Sequence, residues 1–220
     1  MNILLSIISL ILCFSGVLLS GKLFKKEGLY IWMVFATITA NILVCKNINI
    51  GGICFTLGNI LFASNFLAAD ILNENYGKKY SKKGVYMSLF AIIVFLISTQ
   101  IGLLFIPDTT DISQQAMKQL FTINLRTSIS SVTMFFLSNI ASVYLYDKLK
   151  SKLPNKLWIR NNISTITTNC LENFLFVFGA FLGIYTIDII ITIALTTCLA
   201  EIIISLLDTP FMYFAKKHKI

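Results

Sequence analysis

Four polar side chains, Asn162, Thr165, Asn169 and Glu172, follow one another at intervals of three, four and three residues, and a second series, Thr197, Glu201, Ser205 and Asp208, runs at four, four and three. Such intervals stack side chains on one face of a helix. Both series lie in otherwise apolar runs, where a mid-helix charge costs about 2.5 to 3.5 kcal/mol on insertion scales, so something must offset them. A carboxylate among amides and hydroxyls can accept two parallel donors while the amides donate to a carbonyl, which is chemistry for holding a polar ligand, an ion or a proton. Glu172 is the strongest candidate, because it sits near the middle of its run with no cation nearby in sequence. Glu201 follows it.

Other polar residues join these stripes. Thr37 and Asn41 fall in an earlier apolar run; the next carries Asn59 near mid-depth, Asn65, and Asp70 toward its end; a later one carries Ser128, Ser131, Ser138 and Ser142. The plainer reading of Ser, Thr and Asn in membrane helices is helix-to-helix hydrogen bonding, at about 0.6 kcal/mol per contact, and the four serines fit that reading best. Asn41 and Asn65 fit either. Asp70, Asp208 and Arg160 lie near the ends of their runs, where a long or boundary charge reaches water, so anchoring and ligand binding are both open to them. The economical arrangement turns the polar faces onto a common cavity.

The elements that must position these residues follow from composition. Of 220 residues 56% are hydrophobic and 13% charged, with a mean hydropathy of +0.81, far from a soluble domain. Apolar runs over residues 3–20, 28–45, 52–72, 85–106, 127–146, 162–184 and 188–207 each match the length a helix needs to cross a bilayer. The chain reads as an all-α integral membrane protein of seven spans. Fifteen of the eighteen Lys and Arg residues fall in alternate connections and the tail; Lys46, Lys118 and Arg126 face the other way. By the positive-inside rule this places the N-terminus outside and the C-terminus in the cytoplasm.

The same features exclude several functions. The net charge of +8 sits in short loops at the membrane, where anionic lipid is the partner and nucleic acid is not. The first run lacks a basic leader and is too long for a signal core, so it reads as a retained helix. His218 is the only histidine and no Cys-x-x-Cys pair occurs, so neither a metal site, a disulfide nor a cofactor is expected. No nucleophile and base pair and no phosphate loop is present, which argues against an enzyme. The Asn162-Ile163-Ser164 sequon falls at a cytoplasmic helix edge and reads as chance.

Three motifs carry a resemblance. "DILNENYGKK" from Asp70, "LWIRNNIST" from Leu157 with an amide and a carboxylate one and two turns later, and "DTPFMY" from Asp208 together resemble the queuosine precursor transporter family, also called the vitamin uptake transporter family, over roughly residues 28 to 215. The resemblance implies a six-helix core over 28–220 like that of the vitamin-binding subunits of energy-coupling-factor importers, with 1–27 as an added N-terminal helix and basic loop. It also implies uptake of a 7-deazaguanine such as 7-cyano-7-deazaguanine, its aminomethyl relative or queuine. One departure is evident. Where many relatives have Asn-Asn-Gly-Ser-Thr and then a Gln and an Asp, this chain has Asn161-Asn162-Ile163-Ser164-Thr165, Asn169 and Glu172.

The substrate class suits the residues. A guanine-like edge presents a ring N–H beside an amino group, which Glu172 can accept together, while Asn169 or Asn59 donates to the base carbonyl. Phe62, Phe174, Phe176 and Phe178 are available for stacking. Two alternatives stay open: a binding subunit that docks on a separate energising module through the Ala36 to Ala40 small-residue face, and a scaffold whose polar stripes only knit the bundle. Oligomeric state is not set by these features.

Overall fold

Lys25 breaks the first helix. In a computed structural model that describes residues 1–50, 53–121, 125–183 and 186–220, helix α1 (Asn2–Leu43) contains a single non-helical residue, Lys25, at φ 55°. The chain doubles back there into two antiparallel arms, 2–24 and 26–43. Gly28 permits the turn, because a Cβ at that position would collide with the Ser20 carbonyl. The side chains of Arg126 and Ser128, singled out above, lie outside the described residues.

A two-stranded antiparallel hairpin follows, β1 (Asn47–Ile50) and β2 (Ile53–Thr56), with Ile50 opposite Ile53. It replaces the helical start expected at residue 52. Helix α2 therefore begins later, as Gly58–Asn75, and then come α3 (Lys78–Leu104), a short α4 (Gln114–Phe121), α5 (Leu125–Lys152), α6 (Leu157–Phe181) and α7 (Ile187–His218). Among the described residues three helices, α1, α3 and α7, are long and apolar enough to cross a membrane by length and composition. Seven spans were expected. α2 falls short because Asn59, Asn65, Asp70, Asn73, Glu74 and Asn75 lower its hydropathy.

Those polar residues are turned inward. Ser64, Asn65, Asp70 and Asn73 are each at most 1% exposed, alongside Leu67, Ala68, Ile71 and Leu72, so α2 is buried nearly all round by the helices about it. Asn65 Nδ2 donates to the Met33 carbonyl at 3.1 Å and Thr37 Oγ1 at 2.7 Å, and Trp32 Nε1 donates to Ser64 Oγ at 3.0 Å. Thr37 and Asn65 thus knit α1 to α2, while Asn41 donates to the Thr37 carbonyl within α1. Ala36 and Ala40 are wholly buried in the same seam, so the small-residue face is spent inside the chain. The N-terminal arm shares this core, with Phe14 packed edge-on against Phe211 at 5.2 Å.

The close approach of α2 to α1 depends on Gly58, whose Cβ would stand 2.6 Å from the Ala40 carbonyl oxygen and 3.0 Å from the Val44 nitrogen. Both obstacles are backbone. Gly58→Ala is expected to destabilise the protein by about 1 to 3 kcal/mol, as overpacking does, and thermal unfolding in detergent checks it. At its other end α2 stops at Gly77, whose φ of 97° turns the chain sharply into α3 while its N–H bonds the Leu72 carbonyl.

Candidate functional site

The sequence-derived candidates separate into two groups and one outlier. The first group lies where the ends of α2, α5, α6 and α7 meet. Glu74 near the end of α2, with a side chain 5% exposed, takes Arg160 Nη2 of α6 at 2.6 Å, Lys216 Nζ of α7 at 3.0 Å, Lys150 Nζ of α5 at 3.7 Å and the Tyr146 hydroxyl of α5 at 3.1 Å. Four helices are tied by one carboxylate. Arg160, 1% exposed, also donates through Nη1 to the carbonyls of Leu153 and Pro154 at 3.0 and 2.7 Å. It is not a boundary anchor, because the loop between α5 and α6 folds over it; its Nε is buried without a partner.

Glu74 lies beyond the 52–72 apolar run. Burial by itself raises its carboxyl, but the Lys216 hydrogen bond and the charges of Arg160, Lys150 and Lys216 outweigh burial and hold it below the usual range. The exposed partners contribute little. Lys216, 45% exposed, is expected to cost no more than about 1 kcal/mol on replacement by alanine, measurable in the same unfolding assay.

One turn further in, α6 faces α7. Asn161 Nδ2 donates to Asp208 Oδ1 at 2.6 Å, Asn162 Nδ2 to Thr209 Oγ1 at 2.7 Å, and Ser205 Oγ to Asn162 Oδ1 at 3.3 Å. Thr165 Oγ1 donates to Asp70 Oδ2 at 3.2 Å. Asp70, Asn162 and Asp208 are thus buried and largely occupied with one another's helices.

The second group is deeper along α6 and α7 and is less satisfied. The Ser138 hydroxyl of α5 is within hydrogen-bonding reach of the Glu172 carboxyl and of the Thr168 carbonyl, at 3.3 Å. Glu201 of α7 lies close to Glu172. No cation pairs with either carboxylate among the described residues. Among the described residues seven buried polar atoms of α5, α6 and α7 lack a hydrogen-bond partner; Ser142 Oγ, Arg160 Nε and Asn161 Oδ1 lie toward the first group, and Asn139 Oδ1, Asn169 Oδ1, Asn173 Nδ2 and Glu201 Oε2 lie in this deeper stretch. Asn173 faces Glu201, yet the two do not reach bonding geometry. Unpaired buried atoms cost about 1 to 3 kcal/mol each, so their concentration here marks a place prepared for something else.

Cys170 and Cys198 are joined by a disulfide across α6 and α7, with Cα atoms 5.0 Å apart. This corrects the expectation of no disulfide. That expectation rested on the absence of a short-range cysteine pair, whereas antiparallel packing brings together residues 28 apart. Alkylation of unfolded protein should therefore label Cys170 and Cys198 only after reduction, which peptide mass mapping reads directly.

Asn59 is the outlier. It sits in the first turn of α2 rather than at mid-helix, accepting from Thr56 Oγ1 at 2.7 Å, and the eleven residues to Asp70 correspond to about 16 Å of helix. Two open grooves lie elsewhere. One, of about 720 Å³, is lined by Lys78 of α3 and by Tyr144, Asp147 and Lys148 of α5; the other, of about 1280 Å³, runs along the start of α3. Neither reaches Glu172. Glu74, absent from the sequence-derived candidates, had one signal: it is the second carboxylate of the Asp70 to Lys79 motif. Among the described residues no set of three His, Cys, Asp or Glu side chains could hold a metal ion.

The family described as "Putative vitamin uptake transporter" matches residues 56–215. A Bacillus subtilis (strain 168) protein named "Probable queuosine precursor transporter" is 37% identical over 209 residues, covering 94% of this chain and 91% of that protein. No solved structure matches. The chain belongs to the vitamin uptake transporter family and is a membrane transporter, not an enzyme.

Proposed function

We propose that the protein imports a queuosine precursor, a 7-deazaguanine, and that Glu172 is the residue that recognises it. The observation that carries this reading is the polar group deep in α5, α6 and α7: among the described residues, two carboxylates without a cation and, beside them, four of the seven unpaired buried atoms of these helices. Glu172 accepts the ring N–H and amino group of the base, and Asn169 donates to its carbonyl, an arrangement of charge-assisted bonds worth about 1.5 to 3 kcal/mol each. The printed name of the Bacillus relative supports the substrate class. The substitution of Glu172 and Asn169 for a shorter acid and a longer amide sets which deazaguanine fits.

In this reading residues 28–220 form a six-helix core and 1–27 an addition to it, with the N-terminus outside. Contacts at one end support the orientation. Lys26 stacks on Tyr80, Lys78 pairs with Asp147, and Asn75 bonds the Ile220 carbonyl at 2.8 Å, so the basic connections and the tail assemble together. Alternating access follows, with the base released toward that end by a rocking of helices. Glu201, whose Oε2 is unpaired, couples uptake to the proton gradient; Asp208, held by Asn161, is less free to do so.

The chain reconstituted alone in vesicles tests this. It should take up labelled 7-cyano-7-deazaguanine without another subunit, and an uncoupler should abolish accumulation. Accumulation that requires a second protein supports the docking alternative, against which the burial of Ala36 and Ala40 already speaks.

A further inference from the structure

We propose that the groove along the start of α3 binds one anionic phospholipid, with its phosphate over a lysine cluster and an acyl chain along the apolar residues below. This site is separate from Glu172 and does not rest on the substrate assigned above. The groove holds about 1280 Å³ and changes character along its length. Lys79, Lys82 and Lys83 line one half; Met87, Phe90 and Ala91, with Val34 from α1, line the other. Lys79, Lys83, Met87 and Phe90 follow at intervals of four, four and three, so one face of one helix passes from cationic to apolar within about 16 Å. That is the spacing of a headgroup above its chains.

The lysines are arranged but not neutralised. Among the described residues Lys79, Lys82 and Lys83 pair with no carboxylate. Lys82 Nζ instead bonds the Tyr144 hydroxyl at 3.0 Å, and Lys83 Nζ stands 5.5 Å from the centre of the Tyr30 ring. Aromatic partners orient the ammonium groups while leaving their charge for an anion. Below them Phe90 is 71% exposed, an apolar surface that a soluble anion cannot cover. Charge above and uncovered aromatic surface beneath together select a phospholipid over free phosphate.

The full chain in detergent is titrated with dioleoyl phosphatidylglycerol, dioleoyl phosphatidylcholine or inorganic phosphate, and the thermal unfolding midpoint is followed. Phosphatidylglycerol should raise it and the other two should not. Lys79→Gln, Lys82→Gln and Lys83→Gln combined should weaken the response about a hundredfold in lipid concentration, at roughly fivefold per lysine, and Phe90→Asp should weaken it about tenfold. A charge-matched control, Lys152→Gln, Lys156→Gln and Lys217→Gln combined, should respond as the unaltered protein does. Equal responses to both lipids, a full response to phosphate alone, or an equal loss in the control would each overturn the site. If the lysine variant does not fold, Phe90→Asp against the control decides.

Discussion

Glu74→Ala is expected to destabilise the protein by about 3 to 5 kcal/mol, the largest stability effect in the molecule. The reason is what the substitution leaves behind. Arg160 is 1% exposed and its guanidinium meets Glu74 at 2.6 Å, so removing the carboxylate strands a buried cation, which costs far more than the pair itself is worth. Removing both partners tests that logic. Glu74→Met with Arg160→Met should be closer to the unaltered protein than Glu74→Ala is, because no unpaired charge remains. The pH dependence has a definite sign. With its folded-state carboxyl held below the ordinary value, Glu74 contributes stability above the unfolded-state value, and this is lost as pH falls through the folded-state one. Unfolding midpoints for the three proteins against pH check both statements.

Glu172→Gln is expected to leave the fold intact and weaken 7-deazaguanine binding at least a hundredfold. Two charge-assisted bonds are lost, and one amide cannot accept two parallel donors and keep its own NH₂ satisfied, so a loss of about 3 kcal/mol is the lower bound. The fold should tolerate the change because among the described residues Glu172 makes no ion pair; Ser138 and Glu201 lie close to it. Glu74→Ala and Glu172→Gln therefore separate stability from binding: the first acts on unfolding and the second on ligand affinity, measured by equilibrium dialysis. A bundle in which the polar stripe only knits helices predicts the opposite for Glu172, a loss of stability and no ligand to lose.

The sequence made the membrane class and most helices legible, because apolar run length and the clustering of lysines are local properties. Spacing set the polar residues of α6 and α7 in two stripes, each of which the fold divides between the two groups. What it hid depended on long-range packing. The reversal at Lys25 falls in the basic connection expected between runs 3–20 and 28–45, but the close approach of the two arms, which a side chain at Gly28 would block, is a matter of packing. Asn59 was placed too deep because the run 52–72 was read as helix throughout, while its first residues form β2. Arg160 read as a boundary charge because its partner, Glu74, is 86 residues away. The Cys170 to Cys198 link was invisible for the same reason. Local pattern thus located the stripes, and packing decided which of their members are spent on structure and which remain unpaired.

The most direct measurement is thermal unfolding of the purified protein and of Glu172→Gln against a panel of purines and 7-deazaguanines. The account predicts that a 7-deazaguanine raises the midpoint of the unaltered protein, that adenine does not, and that the variant unfolds at a similar temperature with the shift gone. An unaltered protein indifferent to every 7-deazaguanine, or a variant that responds as fully as the original, would contradict it.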